Sequence, residues 1–212
     1  MLQMAKSYNN IGVYYGGEGE DDKAIEYQIC SLKISEELGD NHGLGYSLLS
    51  IGSAYYYKGD FERALEYYDK SLKIREEIAD KRGILISLDN IGAVYWSKNE
   101  YIAAKEYLNK SISLQKENGH TGLKTITYFY LIDRHLGSQY DISELYKLIK
   151  ETNNIEFDLN LRLYQLLEDT TYLKTAYTQI QEKVNKMEKE LGQKFLSYPI
   201  PKAIVEEWEK VK

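Results

Sequence analysis

The sequence predicts an all-α fold: a right-handed α-solenoid of stacked helical hairpins followed by a C-terminal helical extension. Three observations carry that prediction. An Ile-Gly pair recurs at Ile11-Gly12, Ile51-Gly52 and Ile91-Gly92, 40 residues apart each time. A tyrosine follows each glycine by three residues, at Tyr15, Tyr55 and Tyr95. Ala24, Ala64 and Ala104 then fall 12 residues after the glycines. A fixed period of this length marks units too short to bury their own apolar faces, which must stack on their neighbours.

The period divides residues 1–152 into units of about 5–42, 43–82 and 83–122 and a degenerate unit at 123–152, leaving 153–212 as the extension. In the second unit Leu48, Ile51, Gly52 and Tyr55 lie on one face of a helix. After Lys58-Gly59-Asp60 the residues Ala64, Leu65, Tyr68, Ser71 and Leu72 keep the helical period, so each unit is a helical hairpin. Asp60 is the expected N-cap of the second helix, because its carboxylate can accept an amide hydrogen of the first turn. Gly16-Gly17-Glu18-Gly19 reads as the turn of the first hairpin, with no strand before it and no Gly-Lys-Ser/Thr after it. Gly39 and the Gly83 region supply the breaks between units. Gly12, Gly52 and Gly92 each cost their helices roughly 1 kcal/mol relative to alanine, which implies close packing. Ala24, Ala64 and Ala104 are the expected partner surface, with Tyr15, Tyr55 and Tyr95 filling the space beside it.

In the fourth unit Leu131-Ile132 replaces Ile-Gly, His135 the tyrosine and Glu144 the alanine. A helical pair from about Gly122 to Thr152 is expected, with Leu145, Leu148 and Ile149 inward. Beyond Asn153-Asn154 comes a dense apolar segment, Leu159 to Leu167. From Thr171 to Leu191, Leu173, Ala176, Tyr177, Ile180, Val184, Met187 and Leu191 keep helical spacing, which predicts one long amphipathic helix. Tyr198-Pro199-Ile200-Pro201 should stop it, and a short last helix is expected over Lys202 to Val211.

The Ile51-Gly52, Tyr55, Ala64 and Ile91-Gly92, Tyr95, Ala104 sets resemble the tetratricopeptide repeat in a long form, with 40 residues per unit. The resemblance covers about residues 5 to 122, and it departs from the family in having no proline at the end of the second helices. The same long style is similar to the peptide-binding repeats of kinesin light chains and spindle-orientation adaptors. The segment Phe195 to Lys212 resembles the ends of bacterial repeat proteins that carry adenylate or guanylate cyclase domains. From the family resemblance, an interaction module is expected and no enzyme.

A net charge of −6 argues against nucleic acid, since phosphate binding needs clustered Lys and Arg. Gly43 to Tyr57 is the longest uncharged run and is too short and too rich in Gly and Ser to span a membrane. Nothing at the start reads as a signal peptide, and the single Cys30 can form no internal disulfide, so a reducing, cytoplasmic setting is expected. His42, His120 and His135 are scattered without ligand spacing, and Glu36-Glu37 and Glu76-Glu77 read as solvated helix faces. No metal, cofactor or catalytic residue is expected.

In stacked helical pairs the first helices line the concave face. The candidates there for a protein or peptide partner are Asn10, Tyr46, Leu49, Ser53, Tyr56, Asp89, Asn90, Ala93, Trp96 and Phe129. The aromatics offer large contact area, and Asn10 and Asn90 can pair a donor and an acceptor with an extended backbone. The family resemblance implies the same role for an asparagine just before the apolar-glycine pair, where unit two has Ser50. An alternative reading makes the chain a regulatory or dimerising segment of a larger bacterial signalling protein. In it, Tyr172 to Leu191 pairs with a second copy; a third possibility folds the extension into the groove.

Overall fold

The computed structural model describes residues 1–117, 122–139 and 141–212, and the described elements are α-helices. The chain divides into two compact units, Met1–Val94 and Tyr95–Lys212.

The first unit holds α1 (Leu2–Gly17), α2 (Asp21–Leu38), α3 (Asn41–Lys58), α4 (Phe61–Glu77) and most of α5 (Lys81–Ser97). The first two hairpins close alike: Gly19 and Gly59 take φ of 77° and 80°, a left-handed backbone that glycine adopts without a Cβ clash. Asp60 caps α4 as expected, accepting the Arg63 amide at 3.2 Å. α3 and α5 carry the same device, since Asp40 accepts from Gly43 and Asp80 from Gly83, both at 3.0 Å. Burial pushes the Asp80 carboxyl up, but the Gly83 amide and the Arg75 charge outweigh it, with His42 adding to them. The pKa is held below the usual carboxylate range.

The glycines meet different partners from those expected. A Cβ on Gly12 would stand 2.7 Å from Gln28 Nε2, and one on Gly52 2.7 Å from the Tyr68 ring. The close approach therefore runs to the residue 16 further on, not to the alanine 12 further on. The 12-residue spacing from the glycines belongs to Ala24 and Ala64, which are buried in the core beside them. From the tyrosines, the same spacing joins two rings: Tyr15 stacks on Tyr27 at 5.4 Å and Tyr55 on Tyr67 at 5.6 Å. Each stack is overlaid by a cation, Lys23 above Tyr15 and Arg63 above Tyr55.

Successive hairpins meet across buried hydroxyls. Ser47 donates to Ser31 at 3.0 Å, Ser71 donates to the Gly45 carbonyl at 2.9 Å, and Ser71 and Ser87 lie 3.4 Å apart. All four serines are buried and small, which lets the backbones approach while their polar atoms stay paired.

The second unit contains α6 (Tyr101–Glu117), α7 (Leu123–His135), α8 (Ser143–Glu151), α9 (Phe157–Leu167), α10 (Thr170–Val184), α11 (Lys189–Leu196) and α12 (Pro199–Val211). Tyr95 stacks on Tyr107 at 5.4 Å, repeating the ring pair of the first two hairpins. Leu123, Ile126 and Leu131 of α7, Leu145 of α8, and Leu163 and Leu166 of α9 form one hydrophobic core. The fourth hairpin is thus packed together with the apolar segment that follows it. Arg134 donates to the carbonyls of Gln165 and Leu166 at the end of α9 and pairs with Glu168.

The single long helix expected from Thr171 to Leu191 is two. α10 ends at Val184, and α11 begins at Lys189 after a turn in which Met187 donates to the Val184 carbonyl at 3.0 Å. Gly192 folds back against Val184, where a Cβ would stand 3.2 Å from its side chain. Leu173, Ala176 and Ile180 are fully buried, with α9 and α12 both packed on α10. That part of the apolar face is used within the chain, while Tyr177, Val184, Met187 and Leu191 are half-buried. The last helix starts at Pro199 instead of Lys202, because proline at the first helical position gives up an amide that has no partner there.

Candidate functional site

The candidate residues of the first unit separate by burial. Asn10 is exposed, Tyr46 is 48 % exposed, and Leu49, Ser53, Asp89 and Asn90 are half-buried. Tyr56 and Ala93 are core residues, 5 % and 2 % exposed, and have almost no surface to offer a ligand. Tyr56 packs edge-on to Tyr57 at 5.5 Å and against Phe61 at 5.9 Å. One face of Tyr46 is taken by the Arg75 guanidinium, 4.6 Å from the ring centre. Ser53 is held from both sides, donating to the Leu49 carbonyl and accepting from the Tyr68 hydroxyl, each at 3.1 Å.

Leu49 and Ser53 share the wall of a cavity of about 200 Å³ with Gly12, Val13, Gln28 and Tyr57. Gln28 is 1 % exposed. Its Nε2 donates to the Asn9 carbonyl at 3.0 Å, which fixes the amide orientation, and its Oε1 is buried without a partner. Gln28 was not among the sequence candidates, although a signal existed. Gln28 occupies the position that Tyr68 and Leu108 hold in the next two units, a polar residue where the repeat is apolar or aromatic.

In the second unit Trp96 is half-buried against Tyr101 at 5.0 Å and Tyr128 at 6.2 Å, and it packs on the leucine core. Phe129 is half-buried with the Lys105 ammonium 5.3 Å from its ring centre, and Lys105 is also paired with the buried Asp133 at 2.6 Å. Both aromatics therefore have packing partners of their own.

His42 lies 4.0 Å from the Asp80 carboxylate, His135 lies against Tyr101 with ring centres 3.8 Å apart, and His120 lies outside the described residues. Cys30 is exposed and free. Among the described residues no His, Cys, Asp and Glu converge in a group that could hold a metal ion. No described helix is long and apolar enough to cross a membrane.

Residues 3–77 and 46–117 match the model of the tetratricopeptide repeat. No curated protein matches the chain. Among solved structures, the apo form of RapI is similar at a TM-score of 0.69 and 17 % identity, over 99 % of this chain and 86 % of that one. A putative kinesin light chain from Podosopora anserina with nearly identical tetratricopeptide-like repeats is similar at 0.56 and 16 % identity, over 99 % of both chains. A variant form of that same protein is similar at 0.54 and 16 % identity, over 97 % of this chain and 96 % of the other.

Proposed function

The chain belongs to the tetratricopeptide repeat family, and from that premise we propose that it is an interaction scaffold whose first unit holds a peptide segment of a protein partner against α1 and α3. The carrying observation is the cavity between α1, α2 and α3, whose wall includes Leu49, Ser53 and Gln28, the last with a buried, unpartnered carbonyl oxygen. A buried acceptor left unpaired costs about 1–3 kcal/mol, and a backbone N–H from an extended peptide would recover it. Exposed Asn10 and Val13 would lie along the same segment, with Tyr46 offering its free face at one end. Asp89 and Asn90 would extend the surface along α5. Trp96 and Phe129 would form a separate apolar contact in the second unit.

The test is selection of displayed peptides on the purified chain, followed by binding to Val13→Glu and Asn10→Ala. Both positions are exposed, so neither change should disturb folding. Loss of the selected peptides with both variants at unchanged helicity supports the groove, and undiminished binding to Val13→Glu excludes it.

A further inference from the structure

A second cavity, of about 540 Å³, opens in the same unit between α1, the end of α2 and the start of α3. Its size falls in the range of small-ligand sites, roughly 300–1,000 Å³. Ala5, Lys6, Asn9, Ser35, Asp40 and Tyr46 line it. Two side chains in this wall carry buried polar atoms with no partner, Ser35 Oγ and Asn9 Oδ1, and Ser35 is fully buried.

The next repeat shows what such a place holds. Forty residues on from Ser35 stands Arg75, 1 % exposed. Its Nε donates to Ser71 at 3.2 Å, its Nη1 to Asp80 at 2.5 Å, and its guanidinium lies on the Tyr46 ring. Gly83 leaves the space: a Cβ there would stand 1.9 Å from Arg75 Nη1 and 2.5 Å from Asp80 Oδ2. The serine, the carboxylate and the glycine recur one period earlier, as Ser31, Asp40 and Gly43. A Cβ on Gly43 would stand 2.6 Å from Asp40 Oδ2, so the carboxylate occupies the same position, and 2.5 Å from Ser35 Oγ. The cradle is repeated and the arginine is not.

We propose that this cavity binds the guanidinium group of an arginine brought by a ligand. Asn9 Oδ1, Ser35 Oγ and the Asp40 carboxylate are acceptors, and a guanidinium presents five N–H donors in a planar fork that suits such a set. Lys6 stands where Tyr46 stands in the next repeat, so the first site lacks the aromatic face that covers Arg75 and has an exposed cation at its rim instead. The site shares Tyr46 with the proposed peptide contact, but its acceptors Asn9, Ser35 and Asp40 do not line the cavity around Gln28, so guanidinium binding does not rest on that reading.

The experiment is NMR titration of the full chain with N-acetyl-L-arginine amide and with free L-arginine, against the matching lysine and citrulline compounds. Tighter binding of the capped compound identifies a peptide-borne arginine, and tighter binding of free arginine identifies the amino acid; either supports guanidinium recognition. Citrulline, the neutral isostere, should bind at least about tenfold more weakly, having lost the charge-assisted pair. Equal binding of arginine and citrulline, or no binding of either, overturns the proposal. Ser35→Arg should fill the cavity from within, fold normally and abolish binding, and Lys6→Tyr should tighten it. Should Ser35→Arg fail to fold, Asp40→Asn decides: it keeps a capping side chain, and binding retained in it refutes the site.

Discussion

Gly52 lies so close under the ring of Tyr68 that a methyl group on its Cα would stand 2.7 Å from Cδ1 and Cε1. Tyr68 is 2 % exposed and its hydroxyl is bonded to Ser53, so the ring has nowhere to go. Gly52→Ala is expected to destabilise the chain by about 1–3 kcal/mol, even though alanine is the better helix former by about 1 kcal/mol. Gly17→Ala is the control, since a Cβ there meets nothing within 4 Å, and it should be neutral or stabilising. Denaturant unfolding of both variants measures the contrast; equal effects would dismiss the Tyr68 contact as the cause.

The Tyr55 and Tyr67 rings are stacked with an interplanar angle of 16°. A double-mutant cycle with Tyr55→Leu and Tyr67→Leu should return a coupling of about 0.5–1.5 kcal/mol beyond the loss of apolar area. Strict additivity of the two substitutions would mean that the stack adds nothing to burial.

Ala79 sits at φ 53° where the preceding repeat has Gly39 at φ 64°. A Cβ in this region costs about 1–2 kcal/mol, and glycine's larger loss of chain entropy offsets about 0.5–1 kcal/mol of that. Ala79→Gly should therefore raise stability by about 0.5–1 kcal/mol and Ala79→Val should lower it, read as opposite shifts in the thermal midpoint. A fall with glycine would contradict the strain.

The folded pKa of Asp80 is depressed: its burial is outweighed by the Gly83 amide and Arg75. Its contribution to stability is thus present above the ordinary carboxyl pKa of the unfolded chain and is lost as pH falls through the lower folded value. Asp80→Asn keeps a capping side chain but not the charge. The stability gap between wild type and variant should be widest near neutral pH and narrow on acidification, and a gap constant with pH would exclude the ion pair as its source.

The helices of the first hairpins could be read from Ile51-Gly52, Tyr55 and Ala64 because stacking forces the apolar positions to recur. Which residue each glycine touches could not, since that depends on how the two helices are rotated about their axes. Tyr27, Tyr67 and Tyr107 recur at the same period as their stacking partners and were readable, as was the polar intruder Gln28. The break after Val184 had no glycine or proline within it to announce it, and helical spacing ran through it; beyond it Gly192 lies against the Val184 side chain. Of the candidate surface, Tyr46 and Asn10 are open, whereas Tyr56 and Ala93 are buried in the core.

The serines between the first three hairpins give their two joints one common fitting. Ser31 meets Ser47, and Ser71 meets Ser87, so the trailing edges of the first two blocks carry the same serine toward the block that follows. A copy of residues 41–80 inserted after Asp80 would present Ser47 to Ser71 and Gly43 to Arg75, the same matches already made. The chain is in that sense cut to a gauge, and it can lengthen by duplication without inventing a new joint.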